Sequence, residues 1–480
     1  MSDVKTRFAP SPTGYMHIGN LRTALYSYLV ARSLGGKFIL RIEDTDRERL
    51  VENAVDVIYD TLKLARLKYD EGPDLGGPCG PYVQSERKDI YKTYAEQLVR
   101  SGHAYYCFCT KERLAELHEQ GVAGYDRHCR TLSDEEIQAN LDAGVPYVIR
   151  QKAPTAGTTS YVDKVFGEIA VENAELQDIV LMKADGYPTY NFAHVVDDHL
   201  MGITHVVRGS EYVTSTPSYA LLYDAFGWER PTYIHLPLIM GKDADGNVSK
   251  LSKRHGAVSF QDLVADGYLP EAIINYIALL GWNPKTEEEF FTLEELEQKF
   301  SADAINKSAA VFDFDKLLWF NGMYIRKLTP EQFLEKAKPY LESSLERPMD
   351  YAKIASLVQL RVEKLSQIPD HLGFFNAVPE YDLSLYENKK SKATRENALP
   401  VLEKALPVLE GLADWQNEPL YYALKALADE MGLKANAIMW AVRVAITGVF
   451  ATPGGATDIL ELLGKDESIA RIKAAMEKLR

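Results

Sequence analysis

Between Arg7 and Ile42 the chain changes its hydrophobic period twice, and few folds accommodate that. Arg7-Phe8-Ala9-Pro10 reads as a short strand closed by a turn, and Ser11-Pro12-Thr13-Gly14 is loop chemistry. From Ile18 a helical period sets in: Leu21, Ala24, Leu25, Tyr28 and Leu29 predict one apolar face. Gly35-Gly36 supplies a stop, and Lys37–Ile42 predicts a second strand. Strand, loop, helix and strand make a βαβ unit, with a right-handed crossover and parallel strands. Ligands of such sheets sit at the carboxyl ends of strands, beside helix N-termini.

The first half continues to mix short β-type runs with helical patterns. From about Thr329 helical patterns dominate, and Leu399, Leu402, Leu406 and Leu409 mark an apolar helix stripe. The expected fold class is therefore α/β followed by all-α. A chain of 480 residues has room for about three domains. An apolar fraction of 46% allows a buried core and argues against disorder. Ala437–Phe450 carries Arg443 in its middle and Ala272–Trp282 is too short to cross a bilayer, so no membrane partner is expected. No apolar leader follows Asp3, Lys5 and Arg7, and four cysteines do not make a disulfide scaffold, so the expected location is cytoplasmic. A net charge of −15 argues mildly against a nucleic-acid partner.

Two segments carry more specific chemistry. Pro10–Asn20 is a small-residue loop that runs into a helix start, where free backbone N–H groups favour anions. Gly14 and Gly19 allow close backbone approach, and His17 stands where an imidazole can donate to a phosphate. Val248–Gly256 places Lys250, Lys253 and Arg254 with Ser249 and Ser252 in a loop after an apolar strand predicted over Ile234–Met240. Lys250 and Lys253 are point charges suited to a triphosphate during transfer. Taken singly, the first segment is an ordinary βα turn with a capping histidine and the second a solvated basic loop.

As a pair they mean more. His17-Ile18-Gly19-Asn20 after an N-terminal strand, followed over 200 residues later by Lys250-Leu251-Ser252-Lys253-Arg254, resembles the signature pair of class I aminoacyl-tRNA synthetases. Arg7–Gly14, Leu40–Asp46, Tyr69–Pro73, Gln84–Arg87, Asp185–Tyr190 and Val195–His199 resemble the glutamyl/glutaminyl branch, in the same order along the chain. The resemblance covers essentially the whole sequence and overrides the net charge. Glutaminyl relatives carry β-barrel anticodon domains, whereas this C-terminal third is helical, similar to the bacterial-type glutamyl-tRNA synthetases.

That resemblance implies a Rossmann-like catalytic domain over residues 1–84 and 192–245. It implies an α/β acceptor-binding insertion over 85–191, a connecting domain over 246–325 and helical anticodon-binding domains over 326–480. It implies ATP-dependent ligation of L-glutamate to the 3′ end of tRNA-Glu through glutamyl-adenylate, with Mg²⁺ accompanying ATP and tRNA required for productive activation. His17, Lys250 and Lys253 would be catalytic. Thr13, Gly14, His17, Gly19, Asn20, Lys250, Ser252, Lys253 and Arg254 would bind ATP.

A substrate with two carboxylates and one ammonium wants two arginines and an acid. By resemblance Arg7 faces the side-chain carboxylate, Arg208 the α-carboxylate and Glu43 the ammonium. Ala9, Ser11, Tyr190 and Glu211 match pocket or adenosine-side positions, and His194 stands where some relatives have Asn. Three cysteines close in sequence, Cys107, Cys109 and Cys129, suit a tetrahedral structural Zn²⁺. Tyr125 matches a tyrosine ligand of close relatives, and His128 is the other fourth-ligand candidate; Thr131 takes the place of a histidine ligand in other members. Lys389, Lys390, Lys392, Arg395, Arg361 and Lys364 are cations that could follow tRNA phosphates. A monomer is favoured. The competing readings are an enzyme that glutamylates a tRNA base, a catalytically dead tRNA-binding paralogue and a small adenylyltransferase. The first lacks a helical third, the second would lose His17, Lys253 or a pocket arginine, and the third leaves most of the chain unexplained.

Overall fold

The computed structural model describes residues 3–46, 50–122, 124–243, 245–252, 255–256 and 258–480. The chain divides into two compact units. The first runs to Leu263 and takes in Ile273–Asp313; the second is Val264–Ala272 with Phe314–Arg480.

The strands of the first unit are β1 (Lys5–Phe8), β2 (Lys37–Leu40), β3 (Ala104–Cys107), β4 (Val148–Gln151), β5 (Thr158–Asp163), β6 (Gly167–Glu172), β7 (Val180–Met182), β8 (His205–Gly209), β9 (Thr232–Leu236), β10 (Ile239–Lys242), β11 (Val248–Lys250) and β12 (Ala310–Phe312). β1 and β2 pair in parallel, with Arg7 opposite Ile39. β5, β9 and β8 are also parallel neighbours, and β6 closes that sheet as an antiparallel edge. Thr204 N–H donates to Lys5 O, which brings the start of β8 to β1. β3, β4 and β7 form a separate antiparallel sheet inside the 85–191 stretch.

The helix Ile18–Ser33 follows β1, as the period predicted. It is not amphipathic in the expected sense. From Ala24 to Ala31 every residue is buried, including Tyr26, Ser27 and Val30 outside the predicted face. Such a helix lies in the core with no solvent side. Its exit needs glycine: Gly35 has φ +67°, and a Cβ on Gly36 would stand 2.2 Å from Val4 O.

Two predicted strands differ in extent. Lys37–Ile42 pairs as a strand only to Leu40, and Ile42 makes an isolated parallel bridge to Val83. The run Ile234–Met240 is two strands, β9 and β10, because Pro237 has no N–H to donate and the chain turns there into another sheet. β10 pairs antiparallel with β11, so Lys250 lies on a strand opposite Met240 and not in the loop expected for it.

The second unit is helical. Its core gathers Phe333, Ile354, Val358, Leu402, Leu409, Leu424, Val442 and Leu460. On the helix Arg395–Gly411 the buried stripe is Ala398, Val401, Leu402, Ala405 and Leu409. Leu399 and Leu406, two members of the predicted stripe, are half-buried at its flank. Among the described residues no helix is long and apolar enough to cross a membrane.

Candidate active site

The helix Ile18–Ser33 opens on His17, whose Nδ1 accepts the Gly19 N–H at 3.1 Å. A neutral ring so bonded carries its proton on Nε2 and can donate there. Burial and the neighbouring Lys250 charge lower the His17 pKa, which keeps the ring neutral. His17 is also stitched to the far end of the second signature segment. It bridges antiparallel to Ser259, while Ile18 N–H donates to Val258 O and Phe260 N–H to Met16 O. Two segments over 200 residues apart in sequence are thereby held side by side. Between them lies a cleft of about 300 Å³, lined by His17, Gly19, Asn20, Glu211, Lys250 and Leu251 among others. An open cleft at a helix N-terminus with a histidine donor and a lysine is suited to a phosphate chain.

The other residues expected around ATP have these places. Thr13 is exposed and donates its N–H to Ser11 O; Gly14 adopts φ +115° with nothing within 4 Å of where a Cβ would stand. Glu211 is exposed and folds back so tightly on Gly209 that a Cβ there would lie 2.1 Å from its carboxylate. The imidazole of His255 links Ser249 Oγ (3.2 Å) and Ser252 N–H (3.1 Å) and lies against Gly241. Lys253 and Arg254 lie outside the described residues.

The same unit holds a buried cluster of charges. Arg7, on β1, donates from Nε to both oxygens of Asp198 (3.0 and 3.2 Å) and from Nη1 to Val207 O (3.2 Å). Asp198 also accepts from Arg41 Nη1 at 2.8 Å, and Arg41 Nη2 donates to Glu43 Oε1 at 2.9 Å. Although burial works the other way, Arg7 and Arg41 hold the Asp198 carboxyl well below the usual carboxylate range. Burial pushes the Glu43 carboxyl up, opposed by Arg41. An ammonium arriving beside Glu43 would favour its ionised form. Tyr190, His194 and Asp198 follow one another at four-residue spacing on the helix Tyr190–Leu200 and so share a face. Tyr190 stacks on His194 with centroids 4.7 Å apart.

Arg208, at the end of β8, is buried among Tyr212, Tyr219 and Tyr233, its guanidinium carbon 5.0 to 5.7 Å from their centroids. Its partners are His235 Nε2 (3.0 Å), His194 Nε2 (3.3 Å) and Thr216 Oγ1 (2.8 Å). Ala9 is half-buried and Ser11 exposed on the loop after β1.

The sequence reading did not single out Arg41, Asp197, Asp198, Gln84, Arg87 or Tyr91 as site residues. Arg87 Nε donates to Asp197 Oδ1 at 2.7 Å, and Gln84 Nε2 (2.8 Å) and Tyr91 OH (2.9 Å) donate to its Oδ2. All six stand in or next to quoted motifs. For the four charged ones the available signal was a charge inside an otherwise apolar segment, where it is rarely buried unless paired; Gln84 and Tyr91 carried no such signal.

In the 85–191 stretch Cys107, Cys109 and Cys129 converge, with their sulfur atoms within 4.8 Å of one another. Cys109 and Cys129 Sγ are 3.5 Å apart, and Tyr125 OH lies 3.3 Å from Cys107 Sγ and 3.7 Å from Cys109 Sγ. Despite burial, hydrogen bonds from Tyr125, the Cys109 backbone and Arg150 lower the Cys107 thiol pKa. Three thiols that could hold a metal ion, with a phenol beside them, fit a small thiophilic cation. His128 is exposed and outside this group, and Cys79 packs elsewhere, next to Ile39 and Tyr82.

A parallel sheet with a nucleotide-sized cleft at its first helix and a buried cluster of charges in the same unit, followed in sequence by a helical unit, define the class I aminoacyl-tRNA synthetase type. The description "tRNA synthetases class I (E and Q), catalytic domain" matches residues 3–319, and "Anticodon binding domain" matches 332–476. A glutamate–tRNA ligase of Clostridium tetani is 56% identical over 99% of this chain and 98% of its own length. One of Clostridium kluyveri is 55% identical over 100% and 99%. The crystal structure of a glutamate tRNA ligase from Elizabethkingia meningosepticum, in complex with its amino acid, superposes with a TM-score of 0.92 at 36% identity, covering 100% of both chains. The chain belongs to the glutamate–tRNA ligase family of class I synthetases.

Proposed function

We propose that the chain joins L-glutamate to the 3′ end of tRNA-Glu in two steps. An α-carboxylate oxygen of glutamate attacks the α-phosphorus of ATP, pyrophosphate leaves and glutamyl-adenylate forms. The terminal ribose hydroxyl of tRNA then attacks the carbonyl carbon of that anhydride and AMP leaves. No covalent enzyme intermediate is needed, so catalysis is positioning and charge stabilisation. The observation that carries the reading is that Arg7, Arg208 and Glu43 are all buried in the unit that holds the His17 cleft, with Arg41 and Asp198 paired alongside them. Two carboxylates and one ammonium are the complement of that set.

In this reading Arg7 takes the side-chain carboxylate, Arg208 the α-carboxylate and Glu43 the ammonium, with Ala9, Ser11, Tyr190 and His194 lining the site. ATP enters as its Mg²⁺ complex. Thr13, Gly14, Gly19, Asn20, Ser252 and Arg254 cradle it, and Glu211 lies on its adenosine side. His17 Nε2, Lys250 and Lys253 stabilise the charge that develops on the phosphates. Residues 85–191 grip the tRNA acceptor end, 246–325 connect, and 326–480 read the anticodon. Cys107, Cys109, Cys129 and Tyr125 hold a structural Zn²⁺, which shapes the acceptor-binding insertion when bound. The enzyme works in the cytoplasm as a monomer.

Charging of separated tRNA-Glu and tRNA-Gln fractions with labelled glutamate and ATP tests this. Labelling of the Glu fraction alone marks a discriminating enzyme, and labelling of both keeps the chemistry and requires a later amidation. Folded protein that binds tRNA but charges neither fraction would overturn the reading.

A further inference from the structure

Arg208 differs from the other buried arginines of the pocket in having no acid of its own. Among the described residues its three hydrogen-bond partners are neutral, and no carboxylate forms an ion pair with it. The protonation of both histidines follows from their other contacts. His194 Nδ1 lies 2.7 Å from Tyr190 O, and a carbonyl only accepts, so the proton is on Nδ1 and Nε2 offers a lone pair to Arg208. His235 Nδ1 lies 2.7 Å from Asp163 Oδ2, so it too carries its proton on Nδ1 and accepts on Nε2. Burial lowers the His235 pKa, and burial with the Arg208 charge lowers that of His194 to about 3, so both rings stay neutral. Thr216 Oγ1 donates to Tyr212 O at 2.7 Å and so accepts from Arg208. A guanidinium has five N–H bonds. Three are engaged here, which leaves one on Nη1 and one on Nη2.

Asp163 is itself fixed. Its Oδ1 accepts the N–H groups of Val165 (2.9 Å) and Phe166 (2.8 Å), and its Oδ2 accepts His235 N–H at 3.1 Å as well as the ring. Asp163 and His235 are fully buried, on the neighbouring strands β5 and β9. We propose that the Asp163–His235 pair is a positioning device for substrate recognition: Asp163 locks the tautomer of His235, whose Nε2 orients Arg208 with two N–H bonds open for a substrate carboxylate. A histidine here does what an acid would do worse. It accepts from Nε without neutralising the guanidinium, so the full charge of Arg208 is kept for the ligand.

The proposal rests on Arg208 being a glutamate contact, and the test separates the two. In Asp163→Asn the amide oxygen stays with the Val165 and Phe166 N–H groups, and the amide N–H₂ faces both the ring and the backbone N–H of His235, the second of which loses its acceptor. The ring must then accept on Nδ1 and carry its proton on Nε2, where it opposes Arg208 Nε–H. The expected result is a rise in KM for glutamate of about ten- to a hundredfold, the loss of one hydrogen bond to a charged group, with KM for ATP unchanged. The ¹⁵N shifts of the His235 ring should show the exchanged tautomer, which a merely structural role does not require. His235→Gln keeps an acceptor within reach of Arg208 and should retain most glutamate affinity, whereas His235→Asn, too short to reach, should not. Arg208→Lys is the control. If it leaves KM for glutamate unchanged, the substrate role of Arg208 falls. If it raises KM while a folded Asp163→Asn or His235→Asn does not, the positioning role falls.

Discussion

Arg7 and Arg208 are both buried guanidinium groups, but different neighbours hold them. Arg7 is locked to Asp198, which Arg41 also holds. Removing Arg7 therefore does two things. It removes the proposed reader of the substrate side chain, and it leaves Asp198 buried with one counter-cation. We expect Arg7→Ala to lower the preference for glutamate over glutamine by roughly ten- to a hundredfold, the value of one charged hydrogen-bonded contact. A stability loss of about 3 kcal/mol should accompany it, because a broken buried pair strands a charge. Parallel kinetics with the two amino acids, alongside chemical unfolding, measures both; equal losses for both amino acids would remove Arg7 from the reader role. His194 gives a second expectation. Its pKa is about 3 in the fold against an ordinary 6.5. Below pH 6.5 the unfolded chain binds a proton that the folded chain does not, so stability falls as pH falls from 6.5 towards 3. His194→Asn can still donate to Tyr190 O but takes no proton. It should lessen the slope of unfolding free energy by about 0.7 kcal/mol per pH unit at pH 6.5, growing to about 1.4 below pH 5.5. Denaturant titrations across that range decide it, and an unchanged slope would show that His194 does not titrate this way.

At the scale of elements the cysteine group is a local assembly. Cys107 and Cys109 stand at and just past the end of β3, and Cys129 lies in the short turn His128–Thr131. Phe108 N–H donates to Cys129 Sγ at 3.4 Å, which ties the two segments. The group packs with Tyr105, Leu114, Leu132 and Val148, a small cluster in which a bound ion would add four bonds at the centre. We expect purified protein to carry about one zinc per chain by elemental analysis, and Cys129→Ser to lose it and to expose residues 107–131 to proteolysis. Metal-free protein with the same resistance would overturn this. Period and punctuation made many elements legible in the sequence: the helix from Ile18, its glycine stop and the parallel pairing around it. What was not legible came from tertiary context. The predicted single face of that helix failed because β1, β2, β8 and the helix Leu293–Lys299 close on it from several sides, and the stripe on Arg395–Gly411 is centred one residue away from the leucine repeat, on Ala398, Val401, Leu402, Ala405 and Leu409. Ile234–Met240 looked like one strand because its apolar run continues through Pro237, and only the change of sheet divides it. The same holds in the site. The resemblance drew attention to Glu43 and Arg208, but Asp163, and His235 inside the strand predicted over Ile234–Met240, acquire meaning only where β5 meets β9.

The whole molecule is acidic, with a net charge of −15, and its substrate is a polyanion. Attraction must then come from a local set of cations able to overcome a repulsive average. Not every lysine in the helical unit is available for this. Lys364 Nζ is held by Asp266 at 2.7 Å, and Arg361 donates to Pro453 O at 3.4 Å. Lys389, Lys390, Lys392 and Arg395 are exposed and, among the described residues, form no ion pair. The three lysines occupy a tight turn, closed by the Asn388–Ala393 bridge, that leads into the helix Arg395–Gly411, whose first residue is Arg395. If this turn lies along tRNA phosphates, each contact releases counterions and contributes about 0.7 to 0.9 to the slope of log affinity against log salt. We expect KM for tRNA to rise steeply between 50 and 200 mM salt, a range over which such contacts weaken by orders of magnitude. KM for glutamate should change little if its contacts are the buried Arg7, Arg208 and Glu43, because buried charges are screened much less by salt. The combined variant Lys389→Ala, Lys390→Ala and Lys392→Ala should lower the tRNA salt slope by about two to three, leaving the rate of glutamate-dependent turnover at saturating tRNA as it was. An unchanged slope would move the electrostatic footprint elsewhere on the molecule.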